Sequence, residues 1–185
     1  MGSDIASPSW KEHRLRAPTS VSFALITCSG SRYKAMMEGK PFSDESGELA
    51  KALIEAMGHR VAFRSLVPNS KDMLKAELLK AVQSPEVDMV LVLGGSGLSS
   101  RDISVEVLET LWEKSIPGFG EFFRRISYER IGLGAMLSRA SGGIVNRKAV
   151  FILPGSSDAV ELALRDIILP EAGHIILHLR ESPQA

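Results

Sequence analysis

The chain has 185 residues, of which 44% are hydrophobic and 24% are charged, which is typical of one globular domain. Lys plus Arg and Asp plus Glu both number 22, and this zero net charge argues against nonspecific binding to nucleic acid or an anionic membrane. A single cysteine excludes a disulfide framework, and no apolar run approaches the roughly 20 residues that span a bilayer. With no secretory signal visible, we expect a soluble, cytoplasmic protein.

The start of the chain differs in composition from the rest. Residues 1–20 are polar and contain two prolines, which predicts a flexible arm, and residues 21–182 are predicted to form a single domain. Residues 21–27 are a short apolar run that predicts a buried strand. Helical spacing over residues 49–57 predicts a helix, with Asp44 as a candidate N-cap and Gly58 as the glycine that ends it.

The middle of the chain alternates between strand and helix patterns. Residues 61–67 predict a second strand, and Ser70 is a candidate cap for the helix that follows. Residues 87–93 are nearly all apolar, as expected for a strand covered on both faces. Helices are predicted after residue 104 and again from residue 119, and residues 149–153 predict another buried strand.

The last two predicted elements are a helix over residues 158–169 and a strand over residues 174–179. His174 and His178 are four residues apart, but their apolar neighbours favour a strand. No glutamate stands between them as in the zinc-protease motif. A structural role for both histidines is therefore favoured over a metal role.

The predicted order is β-α-β-α-β-α-α-β-α-β, with helices between most strands. This alternation predicts an α/β fold, a three-layer α/β/α domain around a mostly parallel sheet. In such sheets, ligands bind beyond the carboxyl ends of the strands. Residues 28–32, 94–102 and 154–156 each follow a strand, so we expect these three loops to meet at one edge.

The glycine-rich loop at residues 94–97 is the main candidate for chemistry. Its glycines would let backbone N–H groups approach an anion, although a tight turn explains them equally well. The loop matches neither the Walker motif nor the dinucleotide-binding fingerprint. Asp102 follows closely, and its carboxylate would hold Mg²⁺ beside a phosphate, or alternatively stabilise the start of a helix.

Several other residues have both a functional and a structural interpretation. Asp44 lies in an acidic cluster, where capping a helix is the simpler role. Arg139 suits binding to phosphate or carboxylate, or a surface ion pair. Residues 117–121 suit either a helix break or a loop that stacks a flat ring. Cys28 is more typical of a small buried residue than of a nucleophile, because no histidine is adjacent in sequence.

Several motifs together resemble the molybdenum cofactor biosynthesis protein B family, in its archaeal-type branch. The resemblance extends over roughly residues 21–180. The motifs are Gly-Gly-Ser-Gly-Leu-Ser-Ser-Arg-Asp-Ile-Ser at 94–104, Pro-Gly-Phe-Gly-Glu-Phe-Phe-Arg at 117–124, Leu-Ser-Arg-Ala at 137–140, Leu-Pro-Gly-Ser at 153–156, Asp-Glu-Ser-Gly at 44–47 and Leu-Pro-Glu-Ala-Gly-His at 169–174.

The resemblance implies a molybdopterin-binding fold and molybdopterin adenylyltransferase activity. In this reaction, the terminal phosphate of molybdopterin attacks the α-phosphorus of ATP in the presence of Mg²⁺, and pyrophosphate is released. The substrates are thus the small molecules molybdopterin and ATP, with neither nucleic acid nor membrane as a partner. The family also forms homo-oligomers, so a trimer or a hexamer made of two trimers is implied.

The resemblance also implies roles for residues of this chain. Asp102 and Asp44 would be catalytic, and Asp102 would help to hold Mg²⁺. The backbone amides of the glycine loop would bind phosphate, and the other residues would contact the pterin, its phosphate or the pocket wall. The implied substrate-binding residues are Ser29, Ser31, Asn69, Gly94, Gly95, Ser96, Gly97, Pro117, Gly118, Phe119, Gly120, Glu121, Ser138, Arg139, Pro154, Gly155 and Ser156.

Two residues depart from the family pattern. Ser96 replaces a threonine and keeps the hydroxyl group. Asn69 stands where many relatives have an aspartate that is implicated in catalysis, and an uncharged amide is a poorer Mg²⁺ ligand. Asp72 lies a short way on and could substitute, if the helix that carries it places it correctly. Two further interpretations stay open. One is a non-catalytic protein that carries molybdopterin in the same pathway, and the other is an interaction module whose glycine loop is only a turn.

Overall fold

Six strands in one sheet organise the protein, and the computed structural model describes residues 16–181. The strands are β1 Ser22–Cys28, β2 Arg60–Val67, β3 Met89–Leu93, β4 Lys114–Ser115, β5 Ser141–Val145 and β6 Lys148–Leu153. Their order across the sheet is β2-β1-β3-β6-β5-β4. Strands β2, β1, β3 and β6 are parallel to one another. Strand β5 runs antiparallel to β6, and β4 runs antiparallel to β5.

Helices cover both faces of this sheet. They are α1 Gly30–Met37, α2 Glu45–Ala56, α3 Lys71–Gln83, α4 Ser104–Glu109, α5 Pro117–Ile131, α6 Ser157–Ala163 and α7 Leu169–Arg180. A 3₁₀ helix, Gly132–Leu137, follows α5, and a π-helical segment, Leu164–Ile168, joins α6 to α7. Among residues 16–181, no helix is long and apolar enough to cross a membrane.

Alternate residues of the central strands belong to two separate cores. Leu91 of β3 packs in the core formed with α2, α5, α6 and α7, whereas Val90 and Val92 pack in the core formed with α3 and α4. All five residues of β3 are buried, which explains why its sequence is uniformly apolar. The predicted three-layer α/β/α architecture with a mostly parallel sheet is confirmed.

The predicted caps of α2 and α3 agree with the structure, whereas the helix predicted to end at residue 169 continues through a π-helical segment into α7. The side chain of Asp44 accepts a hydrogen bond from the backbone N–H of Gly47 (3.4 Å) and caps α2. Ser70 caps α3 by accepting from the N–H of Met73 (3.5 Å). Gly58 follows α2 with a φ of +80°, a conformation that favours glycine.

The strand predicted over residues 174–179 is wrong, because this segment belongs to helix α7. The buried residues of α7 are Leu169, Ala172 and Ile176, which recur every three or four positions and form one helical face. The apolar residues between the two histidines suggested an extended segment only because the pattern was read over too short a window.

Three short elements were not predicted, namely α1, β4 and β5. In β5, Gly142 and Gly143 weaken the strand signal, since glycine has low strand propensity. The structure requires both glycines, because a Cβ atom at Gly142 would lie 2.7 Å from the ring of Phe151, and one at Gly143 would lie 2.7 Å from the ring of Trp112. Helix α1 has no buried residue and therefore no apolar stripe to detect.

Residues 1–15 of the predicted flexible arm, residues 1–20, lie outside the described residues. Its last part is described and approaches α7. A Cβ atom at Gly173 would lie 2.4 Å from the carbonyl oxygen of Pro18, so the glycine allows the chain to run directly over the helix at this point.

His59 provides a pH-dependent contribution to stability. Its Nδ1 accepts a hydrogen bond from the N–H of Val21 (3.2 Å), and burial holds the pKa of His59 below its usual value, partly opposed by a backbone hydrogen bond with Leu169. The folded state thus favours the neutral ring. The contribution of His59 to the free energy of unfolding is complete above about pH 6.5, the pKa of histidine in the unfolded chain. It is lost as the pH falls toward the lower pKa of His59 in the folded state.

We therefore expect the free energy of unfolding to fall more steeply between about pH 7 and pH 5 in the wild type than in His59→Gln. Urea unfolding of both proteins at several pH values measures this difference. Parallel pH profiles for the two proteins would contradict the prediction.

Candidate functional site

A cavity of about 810 Å³ opens at the carboxyl edge of the parallel strands. The loops that follow β1, β3 and β6 form one side, and α5 with the 3₁₀ helix forms the other. The three loops expected to meet at this edge therefore do so. The residues expected to bind substrate that line the cavity are Ser29, Ser31, Gly94, Gly95, Ser96, Gly97, Ser138, Pro154, Gly155 and Ser156, together with Asp102.

The glycine loop adopts a conformation that needs glycine. Gly94 and Gly95 have φ values of +96° and +65°, and a Cβ atom at Gly94 would lie 2.6 Å from the carbonyl oxygen of Cys28. Ser104 holds the loop from behind, since its hydroxyl donates to the carbonyl of Gly94 (2.8 Å) and its N–H donates to the carbonyl of Gly95 (2.9 Å). The main chain here is thus fixed at the cavity wall before any ligand arrives.

Asp102 lies against this loop. Its Oδ2 accepts a hydrogen bond from the N–H of Ser99 (3.0 Å), and a Cβ atom at Gly97 would lie 2.6 Å from the same oxygen. Helix α4 begins without a side-chain cap, so Asp102 makes no capping hydrogen bond, and its stabilisation of the helix start through the dipole stays a prediction. Within residues 16–181, Asp102 forms no ion pair, so its carboxylate faces the cavity without a protein cation bound to it.

Arg139 supports the glycine loop from outside the cavity lining. Its Nε donates to the carbonyl of Ser96 (3.2 Å), and its two terminal nitrogens contact the carboxylate of Glu106 at 2.5 and 3.4 Å. The hydrogen bond from Arg139 lowers the pKa of Glu106, and the same bond raises the pKa of Arg139. This arginine is engaged with the protein, and its contact with a substrate stays a prediction.

Asp44 is also engaged in protein contacts. Its carboxylate accepts from the hydroxyl of Thr27 (2.9 Å) and pairs with Arg64 (3.0 Å) and Arg32 (3.6 Å). It does not line the cavity, whereas Arg32 does. Asp44 is therefore connected to the cavity lining only by its ion pair with Arg32, and a direct catalytic role stays a prediction.

Asn69 connects the first two loops. Its Oδ1 accepts from the N–H of Gly30 (2.9 Å), and its Nδ2 donates to the carbonyl of Arg101 (2.7 Å). The side chain thus uses its acceptor and its donor at the same time, which the carboxylate of an aspartate could not do. It lies beside the cavity rather than in its lining.

The Pro-Gly-Phe-Gly-Glu segment forms the first turn of α5 and does not line the cavity. Phe119 is buried and packs on Phe151, with 4.7 Å between ring centroids. Gly120 allows close packing, since a Cβ atom there would lie 2.7 Å from the carbonyl oxygen of Ala140. The segment positions α5, and contact of Pro117, Gly118 or Glu121 with a substrate stays a prediction.

Later residues of α5 and the 3₁₀ helix line the cavity instead, and sequence reasoning missed them. They are Phe123, Ser127, Arg130, Ile131, Gly134, Ala135 and Leu137. The four-residue spacing from Phe119 to Phe123 to Ser127 is a helical signal that could have located this wall. With Arg32 from α1, Arg130 gives the cavity two guanidinium groups. Both are paired with carboxylates of the protein, Arg32 with Asp44 (3.6 Å) and Arg130 with Asp166 (3.1 Å).

Cys28 lies at the base of the cavity, where burial raises the pKa of its thiol, partly offset by a hydrogen bond with Ser104. A raised pKa keeps the sulfur protonated near neutral pH, and a thiol is a poor nucleophile. The interpretation of Cys28 as a small buried residue therefore fits its surroundings.

Comparison with known proteins gives consistent results in sequence and in structure. Residues 24–174 match the family described as "Probable molybdopterin binding domain". The chain is 43% identical over 169 residues to molybdenum cofactor biosynthesis protein B of Bacillus cereus, covering 91% of this chain and 96% of that protein. It is 40% identical over 161 residues to the "Probable molybdopterin adenylyltransferase" of Methanocaldococcus jannaschii, covering 87% and 95%.

Solved structures agree with this result. A crystal structure of molybdenum cofactor biosynthesis protein B superposes with a TM-score of 0.82 at 42% identity, covering 90% of this chain and all of that one. The tungsten cofactor synthesizing protein MoaB from Pyrococcus furiosus superposes with a TM-score of 0.78 at 35% identity, covering 89% of this chain and all of that one.

Proposed function

The chain belongs to the molybdopterin-binding domain family and to molybdenum cofactor biosynthesis, and we propose that its reaction is the adenylylation of molybdopterin by ATP. An oxygen of the terminal phosphate of molybdopterin forms a bond to the α-phosphorus of ATP. The bond from the α-phosphorus to the bridging oxygen of the β-phosphate breaks, and pyrophosphate leaves with that electron pair. The products are adenylyl-molybdopterin and pyrophosphate. The relative from M. jannaschii has a name that fits this reaction.

The observation that supports this proposal is the pairing of the glycine loop with Asp102 at one cavity wall. Phosphoryl-type transfer depends on positioning and on neutralising charge, and it needs little covalent participation by the protein. The N–H of Gly94 donates to the carbonyl of Leu153 (2.9 Å), so the N–H groups that would bind phosphate oxygens are those of residues 95–97. Arg32 and Arg130 add positive charge to the cavity lining, where they would hold phosphate groups in position.

The residues present also fit Mg²⁺. Asp102 is a carboxylate without an ion-pair partner in residues 16–181, and it lies against a loop shaped for phosphate. Mg²⁺ prefers carboxylate and phosphate oxygens together, and it would neutralise the repulsion between them. Asp102 would hold the ion from the protein side, while Asp44 would keep Arg32 in place through their 3.6 Å ion pair.

The first prediction concerns Asp102. We expect Asp102→Asn to reduce turnover about a hundredfold or more, because the variant loses the charge that holds the metal, while the fold remains. The measurement is pyrophosphate release with ATP, molybdopterin and Mg²⁺. Asp72→Asn is the matched control, since Asp72 is an exposed acid on the first turn of α3, and it should keep wild-type turnover. Wild-type turnover in Asp102→Asn would contradict the assignment.

A second candidate function is a non-catalytic carrier of molybdopterin, and Asn69 is the residue that raises it. The amide bridges Gly30 and the carbonyl of Arg101, so it serves here as a structural link between loops. Because the amide links two loops of the site, an asparagine at this position is compatible with an active enzyme. A carrier would bind molybdopterin without ATP or Mg²⁺, and a pure interaction module would bind neither ligand.

The second prediction separates these functions through Asn69→Asp. An aspartate cannot donate to the carbonyl of Arg101, so we expect a loss of stability of about 1 kcal/mol and no gain in pyrophosphate release. Asn146→Asp is the control, because the Nδ2 of Asn146 also donates to a carbonyl, that of Val82 (2.9 Å), away from the cavity. An inactive wild type that binds molybdopterin, together with an active Asn69→Asp, would support the carrier instead.

We further propose that the protein is a homo-oligomer, a trimer or a hexamer. Several large apolar side chains at the end of α5 and on the 3₁₀ helix are more than half exposed, which is typical of a protein–protein contact. They are Tyr128, Ile131, Leu133, Met136 and Leu137. A second copy of the chain would cover this apolar surface.

The third prediction tests this contact. We expect the wild type to have the mass of three or six copies of the 20.1 kDa chain, and the double variant Leu133→Glu/Met136→Glu to have a lower mass, because it places charge in the contact. Light scattering coupled to size-exclusion chromatography measures both. Met57→Glu is the control, since Met57 is also more than half exposed and lies at the end of α2. A monomeric wild type would refute the oligomer.

A further inference from the structure

Three successive carbonyl groups of the glycine loop are held by groups outside the cavity lining. The hydroxyl of Ser104 donates to the carbonyl of Gly94 (2.8 Å), and the N–H of Ser104 donates to that of Gly95 (2.9 Å). The Nε of Arg139 donates to the carbonyl of Ser96 (3.2 Å). The loop lines the cavity, whereas Ser104 and Arg139 do not. The three carbonyls therefore point away from the space that a ligand would occupy.

The direction of each carbonyl fixes the direction of the N–H group that follows it. The C=O of one residue and the N–H of the next belong to one planar peptide unit, and in a trans unit they point in opposite directions. Residues 16–181 contain no cis peptide bond. The held carbonyls of residues 94, 95 and 96 therefore turn the N–H groups of residues 95, 96 and 97 away from Ser104 and Arg139, toward the cavity.

These three N–H groups are still available to a ligand. The N–H of Gly94 donates to the carbonyl of Leu153 (2.9 Å), but those of residues 95–97 donate to no acceptor in the part of the chain that the structure describes. Three adjacent donors that face one space suit an anion with several oxygens, such as a phosphate group. The hydrogen bonds to the carbonyls thus decide how well the loop binds an anion.

Glu106 determines where the guanidinium of Arg139 lies. Its two carboxylate oxygens contact the two terminal nitrogens of Arg139 at 2.5 and 3.4 Å, which leaves Nε for the carbonyl of Ser96. Because the donor is charged, this hydrogen bond is stronger than one between neutral groups. It also polarises the peptide unit that ends in the N–H of Gly97, which makes that N–H a better donor.

We propose that Arg139 and Glu106 are positioning residues, which orient and polarise the N–H of Gly97 toward a phosphate group of the ligand without contacting it themselves. The inference rests on the proposed function for the source of this phosphate group, which is either molybdopterin or ATP. It adds Glu106 to the residues on which the site depends, although Glu106 does not line the cavity.

The first test uses the wild type and measures hydrogen exchange of single amides by nuclear magnetic resonance. Without ligand, the N–H of Gly94 should exchange slowly because it is bonded to Leu153, and those of Gly95 and Gly97 should exchange faster. An anion bound at the loop should slow the exchange of Gly95 and Gly97 severalfold.

Two anions distinguish the source of the phosphate group. Inorganic phosphate represents the phosphate monoester of molybdopterin, and ATP with Mg²⁺ represents the nucleotide. The anion that slows exchange at Gly95 and Gly97 identifies the substrate whose phosphate lies at the loop. Unchanged exchange at both glycines with both anions would overturn the proposal.

The second test measures binding of the same two anions in a calorimeter. Arg139→Lys should weaken binding about tenfold, because one ammonium group cannot hold both the carbonyl of Ser96 and Glu106. Glu106→Gln should weaken it roughly threefold, since a neutral amide holds the guanidinium less firmly. Glu161→Gln is the matched control, because Glu161 also pairs with an arginine, Arg165 (2.7 Å), but does not line the cavity. This control should bind as the wild type does.

Hydrogen exchange in Arg139→Lys separates positioning from a general structural effect. With saturating anion, Gly95 should still be protected, because Ser104 holds the carbonyl before it, whereas Gly97 should lose its protection. Equal loss at both glycines, or wild-type binding by both Arg139→Lys and Glu106→Gln, would overturn the assignment. Neither test uses pyrophosphate release, so a protein that binds the anion at this loop without releasing pyrophosphate would contradict the proposed reaction and leave the positioning role intact.

Discussion

Close contact between strand ends, which only glycine permits, is the constraint on which the candidate site depends. A Cβ atom at Gly94 would lie 2.6 Å from the carbonyl oxygen of Cys28, and one at Gly155 would lie 3.2 Å from the Cα atom of Gly94. The ends of β1, β3 and β6 therefore touch through backbone atoms alone. Because the strands pair in parallel, their ends lie side by side in the sheet, with Leu93 opposite both Thr27 and Leu153. A larger residue at Gly94 would separate these loops and open the cavity wall.

Polar side chains around this contact hold the loops together. Asn69 fixes the first loop to the second, and Arg139 fixes the second loop from outside through the carbonyl of Ser96. Glu106 balances the charge of Arg139, and Arg64 balances that of Asp44. With these charges paired inside the protein, Asp102 is a carboxylate beside the glycine loop that forms no ion pair with the described residues 16–181. A preorganised site of this kind needs little rearrangement when the ligand binds.

The parts of this structure that could be predicted from the sequence are those with local causes. The uniformly apolar β3 and the caps Asp44 and Ser70 follow from burial and from backbone hydrogen bonds within a few residues. The meeting of the three loops follows from the parallel order of the strands. The partners of Arg139 could not be predicted, because Glu106 and Ser96 are 33 and 43 residues away. The sequence suggested an anion ligand for Arg139 because it shows the charge without showing which nearby group already pairs with it.

The error over residues 174–179 shows how secondary structure determines the chemistry available to a fixed pair of residues. Residues four apart in a strand share a face but are separated by about 13 Å, which is too far for one metal ion. In a helix the same spacing advances only about 6 Å along the axis and keeps the side chains on one side. The strand prediction therefore placed the side chains of His174 and His178 too far apart for direct contact. The burial of Leu169, Ala172 and Ile176 makes this segment helical, and the helix in turn brings the two Nε2 atoms within 2.8 Å.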